Sequence, residues 1–372
     1  WGMGEEGQRL AELADDFERR HPAVTVDVTP VSWDVVHQKL VSAAAAGTLP
    51  DMAQMGSTLM GEFIDLDLLE PVDTRHFRES DYFPATWAGN VHDGTAYGVP
   101  WYADVRVLYH RTDLTARAAT PPVTWADALT LARAYQRDAG TRWGAAPQPG
   151  GMGAWQTWLP YLYSAGGDLI TAHGEPALDS PQSVRALTAY AAYFDEGLAD
   201  RTFRPGYDVV KDFGSGRVPM FVSGPWQVEN IESRLPHLRG KWRATPQPAG
   251  KTSTSHVGGS SLVTFHSSGH KAAAEAFTAF LTAPETQSTW YEKTRTLPAN
   301  KKAWSLPALR DDPRLDVFAR QLASARPVPP LLEWARLADV IDEKLERLAR
   351  GADPKTVAAA MQRSAEAVLG RS

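Results

Sequence analysis

Apolar positions along the first 60 residues switch between two periods. Leu10, Leu13, Ala14 and Phe17 recur at three- and four-residue spacing, so Gln8–Arg20 is predicted as a helix that stops at His21-Pro22. Val24–Val31 is rich in β-branched residues and reads as a strand. Val35–Ala46 repeats the helical pattern up to Gly47, and Asp51–Met55 is a short apolar run of strand type. This alternation predicts an α/β fold, a mostly parallel sheet with helices on its faces.

Further along, Gly98–Tyr109 is one long extended segment. Thr124 and Asp127 stand three apart ahead of Ala128, Leu131, Ala132 and Tyr135, the spacing of a capping box. Ser180-Pro181 opens another helix, with Val184, Leu187, Ala191 and Phe194 on one face and Gly197 beyond it. Near the end, Leu337, Ile341, Leu345 and Leu348 form a stripe that runs out at Gly351. No repeat or low-complexity tract interrupts the 372 residues, a length suited to two domains. No linker stands out by composition, so the chain is expected to cross between those domains more than once.

Composition narrows the function classes. A net charge of -6 argues against a nucleic-acid partner, whose phosphates require a basic face. No apolar run approaches the length of a membrane span. The chain has no cysteine, which removes disulfides, thiol catalysis and cysteine-held metals together. Trp1 falls on what reads as the end of a strand, so a secretion signal, with a lipid-bearing cysteine, is expected to have preceded it. Thirteen tryptophans are many for this length. Those beside Gly or Pro in loop-like settings are poorly explained by packing, whereas Trp33, Trp290 and Trp304 are assigned to structure.

One motif suggests an enzyme. Gly2-Met-Gly4-Glu-Glu-Gly7 matches the dinucleotide-binding G-x-G-x-x-G pattern, and Asp27 lies about twenty residues on. Glu5 and Glu6, however, would set two carboxylates against a pyrophosphate, and Asp27 falls mid-strand. The same acids at a helix start suit neutral hydroxyls better, because the dipole stabilises them and charge-assisted hydrogen bonds are strong. No H-E-x-x-H, G-x-S-x-G or Walker pattern occurs, and the acids carry no glycosidase signature. Neither catalysis nor a cofactor or metal is expected.

Trp1–Gly7, Ala46–Gly56, Gly98–Asp104 with Leu108–Leu114, Phe213–Trp226, Ala276–Leu281, Gln287 and Leu297–Asn300 follow one another in a recognisable order. Together these segments resemble family 1 extracellular solute-binding proteins of ABC importers, the maltose, maltodextrin and α-glucoside binders above all. The resemblance implies a two-lobed periplasmic-binding-protein fold of type II, with two or three crossings and the ligand in the cleft. One lobe would hold 1–106 and about 258–305, the other about 107–257 and about 306–372. It also implies an oligosaccharide ligand, an ABC permease as partner, a monomer and an extracytoplasmic, lipid-anchored location.

Carried over position by position, the resemblance offers Met3, Glu5, Glu6, Met55, Ser57, Thr58, Tyr102, Asp104, Trp155, Trp158, Trp226, Gly258, Gly259, Ser260, Glu333 and Trp334 as ligand contacts. Maltose binders often carry a Trp and an acid–Arg pair where Ser57 and Thr58 stand, a departure that bears on sugar preference. The residue types suit a pyranose: its C–H face packs on an aromatic plane, its hydroxyls seek charged acceptors, and glycines admit close backbone approach. Asp104 could instead pair with Arg106, and Met55, Tyr102 and Trp158 could equally be core. The rival readings are an NAD-dependent oxidoreductase, a glycosidase, and a binder of polyamine or ferric ion.

Overall fold

The computed structural model describes residues 1–370, with Glu5 described by its backbone alone. The chain divides into two compact units. The first comprises 1–104, 258–313 and 327–334; the second comprises 105–257, 314–326 and 335–372. Residues 306–313 and 327–334 thus fall in the first unit, where the second was expected. Gly61 accounts for part of this, since a Cβ there would lie 2.6 Å from the carbonyl carbons of Pro330 and Leu331. The unit boundaries also make five chain crossings, after residues 104, 257, 313, 326 and 334, against the two or three expected.

In the first unit the helix Gly4–Arg20 begins four residues before the periodic stretch. Its stripe of Leu10, Leu13, Ala14 and Phe17 is buried with Trp101, Leu262, Phe277 and Trp290. The strand expected over Val24–Val31 shrinks to Pro30–Val31, which pairs in parallel with Gly2–Met3. One reason is local: the Val26 N–H donates to Glu18 Oε1 at 2.7 Å, which removes it from any ladder. Val36–Ala46 forms the next helix and ends on Gly47 at φ +66, a left-handed cap that glycine adopts without strain.

The strand Met52–Gly56 does not continue the parallel pattern. It pairs antiparallel with His256–Thr264, which arrives from far along the chain and owes nothing to a βαβ crossover. Leu297–Pro298 pairs antiparallel with Val99–Val105 in the same sheet. In the second unit Val107–Arg111 pairs antiparallel with both Met220–Ser223 and Trp242–Thr245. The α/β class stands, but apart from the parallel pair Gly2–Met3 with Pro30–Val31 these strand pairs are antiparallel, so the sheets are not mostly parallel.

The long extended segment is two strands broken at Arg106, with the residues on either side buried. The capping box is present: Thr124 Oγ1 accepts from the Asp127 N–H at 3.2 Å and Asp127 Oδ2 from the Thr124 N–H at 2.9 Å. Its helix, Trp125–Ala139, buries Ala128, Leu131, Ala132 and Tyr135. Ser180 caps the helix Pro181–Asp195 by accepting from the Ser183 N–H. The stripe Leu337, Ile341, Leu345 and Leu348 is buried along Trp334–Ala349. Among the described residues, no helix is long and apolar enough to cross a membrane.

Candidate functional site

Each unit presents an aromatic surface framed by glycines. In the first, the helix start at Gly4, the loop around Trp33 and the end of the strand Met52–Gly56 come together. A Cβ at Gly4 would lie 2.8 Å from Trp33 Nε1, and one at Gly56 would lie 3.2 Å from its Cζ3. The two glycines thus leave room for the indole, which remains 38% exposed. Trp33 is assigned to structure on sequence, and its exposure places it at this surface as well. Its setting between Ser32 and Asp34, in a polar loop ahead of a helix, is the signal that could have found it.

Beside this loop the Ser57 N–H donates to the Gly259 carbonyl at 3.2 Å, and Thr58 Oγ1 stands within 4.0 Å of the Gly56 Cβ position. Gly259 sits at φ +122, and a Cβ there would lie 2.2 Å from the Tyr102 carbonyl oxygen, so only glycine fits. The Tyr102 phenol stands near Gln54 and Ser260. Burial, reinforced by the Glu6 and Asp104 carboxylates, raises its pKa well above the ordinary phenol value, so it stays neutral. Asp104 also flanks Gly258, with Oδ2 3.8 Å from that glycine's Cβ position. Glu6, Tyr102, Asp104 and Gly258 are therefore brought together: two carboxylates and a phenol, a set that accepts from and donates to hydroxyls.

Other expected contacts resolve differently. Met3 and Met55 are fully buried in one core cluster with Phe63 and Phe265, so they pack the unit. Alternation along Met52–Gly56 aims Met55 into that core. Trp334 opens its helix but is buried, and Glu333 is half-buried beside it. The Glu5 side chain lies outside the described residues. Trp290 stacks on Trp101 at 5.4 Å and Trp304 donates to the Pro298 carbonyl, both in structural roles. In the glycine motif a Cβ at Gly7 would lie 2.3 Å from the Gly2 carbonyl oxygen; that glycine serves a close backbone approach inside the turn.

The second unit holds a cavity of about 470 Å³, lined by Arg106, Gln156, Trp226, Phe203, Tyr207 and Met152 among others. These last four belong to the large apolar side chains left exposed on the protein, Trp226 by 43%. Tyr109 donates to the Gly224 carbonyl at 2.7 Å, which fixes the Gly224-Pro225 turn at the head of the helix Trp226–Arg234. A Cβ on Gly224 would fall 2.0 Å from Trp226 Cζ3. The Arg106 guanidinium lies 4.8 Å from the indole centroid and also donates to Gln156 Oε1.

Trp155 was expected to face ligand. It sits instead at the buried start of the helix Trp155–Ser164, with its ring 5.4 Å from that of His256. Burial, with the Arg106 charge, lowers the His256 pKa well below the ordinary value and keeps it neutral. Trp158 is fully buried, hence core. Gln156 and Thr157 face the cavity in their place, a helical register that periodicity alone did not decide. Among the described residues, the three-donor grouping Asp73, His76 and Glu275 could hold a metal ion. Arg75 takes both Asp73 oxygens, however, and His76 takes Glu275.

Two aromatic, hydroxyl-competent surfaces on a two-unit α/β chain are compatible with binding a small polar solute. The chain matches the family of bacterial extracellular solute-binding proteins over residues 2–288 and belongs to it. It is similar to the sugar-binding protein MalE of Xanthomonas citri, with 32% identity, a TM-score of 0.92, and coverage of 100% of this chain and 96% of that one. The GacH receptor of Streptomyces glaucescens, solved unliganded and with acarbose, shares the fold at a TM-score of 0.85 and 24% identity, with coverage of 99% and 98%. The galactooligosaccharide-binding protein of Bacillus subtilis is 23% identical over 100% of this chain and 88% of its own.

Proposed function

We propose that this chain is the extracytoplasmic substrate-binding subunit of an ABC sugar importer, which takes up an oligosaccharide of the maltodextrin-like α-glucoside class and hands it unaltered to a membrane permease. One observation carries the reading: the half-exposed Trp226 indole, seated on Gly224 and backed by Arg106, in a cavity with four further aromatic residues, Trp143, Phe203, Tyr207 and Phe221. A cavity of about 470 Å³ is of the size that takes small-molecule ligands. Its apolar walls suit the C–H faces of sugar rings, while Gln156, Thr157 and Ser223 offer polar contacts to their hydroxyls. Glu6, Asp104 and Trp33 supply an equivalent set in the first unit. The sugar-binding relative at 32% identity supports the same class.

A ligand that engages both sets together biases the protein towards a closed arrangement, by no more than its differential affinity for it. Micromolar binding supplies about 8 kcal/mol in total, enough to drive closure where the open form is favoured by a few.

Titration calorimetry against maltose through maltoheptaose, with cellotetraose and a galactooligosaccharide as controls, tests the proposal. We expect micromolar binding of the α-linked series and recovery of the sugar intact after incubation. Silence across the α-series, or consumption of the sugar, rejects it.

A further inference from the structure

Asp342 is an unusual group for a helix stripe. It lies on Trp334–Ala349, is only 5% exposed, and no cation pairs with it among the described residues. Both of its oxygens are used: Oδ2 accepts from the Gly153 N–H at 2.6 Å and Oδ1 from the Trp155 N–H at 2.7 Å. Those two amides bracket the entry to the helix Trp155–Ser164, and Met152, Gly153, Gln156 and Thr157 around them line the Trp226 cavity.

The rest of that wall is braced from the same side. A Cβ at Gly150 would lie 2.5 Å from the Glu346 Cβ, one turn beyond Asp342. Gln148 Nε2 donates to the Gly150 and Met152 carbonyls. Tyr190 donates to the Gln148 carbonyl and meets the Thr157 hydroxyl at 2.6 Å. Gly150, Gly151 and Gly153 all have positive φ, so the loop has little stiffness of its own and depends on these anchors.

We propose that Asp342 is a positioning residue of the second unit's sugar site: ionised, it fixes the Met152–Gln156 wall, and on taking up a proton it loosens that wall, so that sugar affinity falls in acidic medium. This rests on the sugar-binding reading above. The physical basis is the acceptor count. A carboxylate accepts from both amides with charge assistance, whereas a protonated carboxyl turns one oxygen into a donor and weakens one of the two bonds. Burial lifts the carboxyl from 3.8 to about 7, with Asp339 one turn back adding to the rise, so the change falls near neutrality.

The surroundings leave Asp342 as the titrating group of this wall. The segment 143–167 contains no Asp, Glu, His, Lys or Arg, and burial raises the pKa of its Tyr161 and Tyr163 phenols. The helix Pro181–Asp195 faces it with the Tyr190 phenol, whose pKa is raised by burial. On its own helix stand Arg336, Asp339, Glu343, Lys344, Glu346 and Arg347. Arg106 and His256 stand beside Gln156 and Trp155, and His256 is held neutral by burial.

The test has two arms on the full chain. Without sugar, the Gly153 and Trp155 amide resonances are followed by NMR from pH 5 to 9. They are expected to titrate together near neutrality in the native chain and to stay flat in Asp342→Asn. With maltotetraose, the native Kd is expected to weaken at least threefold from pH 8 to 5.5, while Asp342→Asn binds more weakly and almost independently of pH. Amides that do not titrate, or that titrate alike in the variant, overturn the proposal whatever the sugar does. Titrating amides with unchanged affinity overturn the link to the site. If no α-glucan binds at any pH, the functional reading fails, and the amide arm still decides whether Asp342 holds the wall.

Unfolding provides the control for folding. A carboxyl whose folded pKa is raised contributes stability in acid and loses it as pH rises through about 7. The Asp342→Asn variant should therefore gain Tm relative to the native chain at pH 8.5 compared with pH 5.5. His110, which burial lowers to about 4, acts with the opposite sign in this window, and comparing variant with native chain cancels it.

Discussion

Replacing Trp226 with Ala removes the largest exposed ring in the second unit's cavity. The indole is 43% exposed. A tryptophan side chain offers about 250 Å², so roughly 100 Å² is available for a sugar to cover. At about 25 cal/mol per Å² that is about 2.5 kcal/mol, or a weakening of about 70-fold. The fold should notice less. The change gives up one cation–π contact with Arg106, worth about 1 kcal/mol, and no fully buried volume. Calorimetry with maltotetraose, beside a thermal melt of the same preparation, separates the two effects. A weakening of less than about threefold with an unchanged melt would take Trp226 out of the site and the central argument with it.

Gly224→Ala should approach the same loss of affinity without touching the indole itself, because its Cβ would sit 2.0 Å from Cζ3 and must displace the ring; the Kd for maltotetraose reads this. Trp33→Ala should weaken binding at least tenfold, by the same reasoning applied to an indole 38% exposed in the first unit, with Tm nearly unchanged. Met55→Ala should do the reverse, since a fully buried methionine costs about 2–5 kcal/mol to truncate while it contacts no sugar. Denaturant unfolding and calorimetry on that one variant show which role Met55 has.

Local structure was legible in the sequence wherever its cause was local. The Thr124–Asp127 capping box, the Ser180 cap, the left-handed glycine ends and the stripes of Phe17 and Leu345 each follow from residues within a turn or two of one another. The tendency of Gly224-Pro225-Trp226 to present an indole was equally plain, because a ring held between a glycine turn and a helix start has little core to enter. Pairing partners were not legible. Val24–Val28 has the composition of a strand, yet Glu18 takes the Val26 amide. Met52–Gly56 fits a parallel crossover, yet its neighbour comes from His256–Thr264.

The site divides along the same line. Its residue types (aromatic plates, acids at a helix start, glycines at turns) are properties of the chain, and they sufficed to indicate a sugar. Which tryptophan faces solvent is a property of packing. Trp33 is exposed because Gly4 and Gly56, distant in sequence, leave space for it, whereas Trp155 is turned in beside His256 and gives its place to Gln156. Asp342 carries no signal of its own on an amphipathic helix. Its role comes from two amides nearly 190 residues away, an encounter that only the tertiary fold arranges. Sequence sets the periodicities and the chemistry a chain can offer, and long-range packing chooses which of those groups meet.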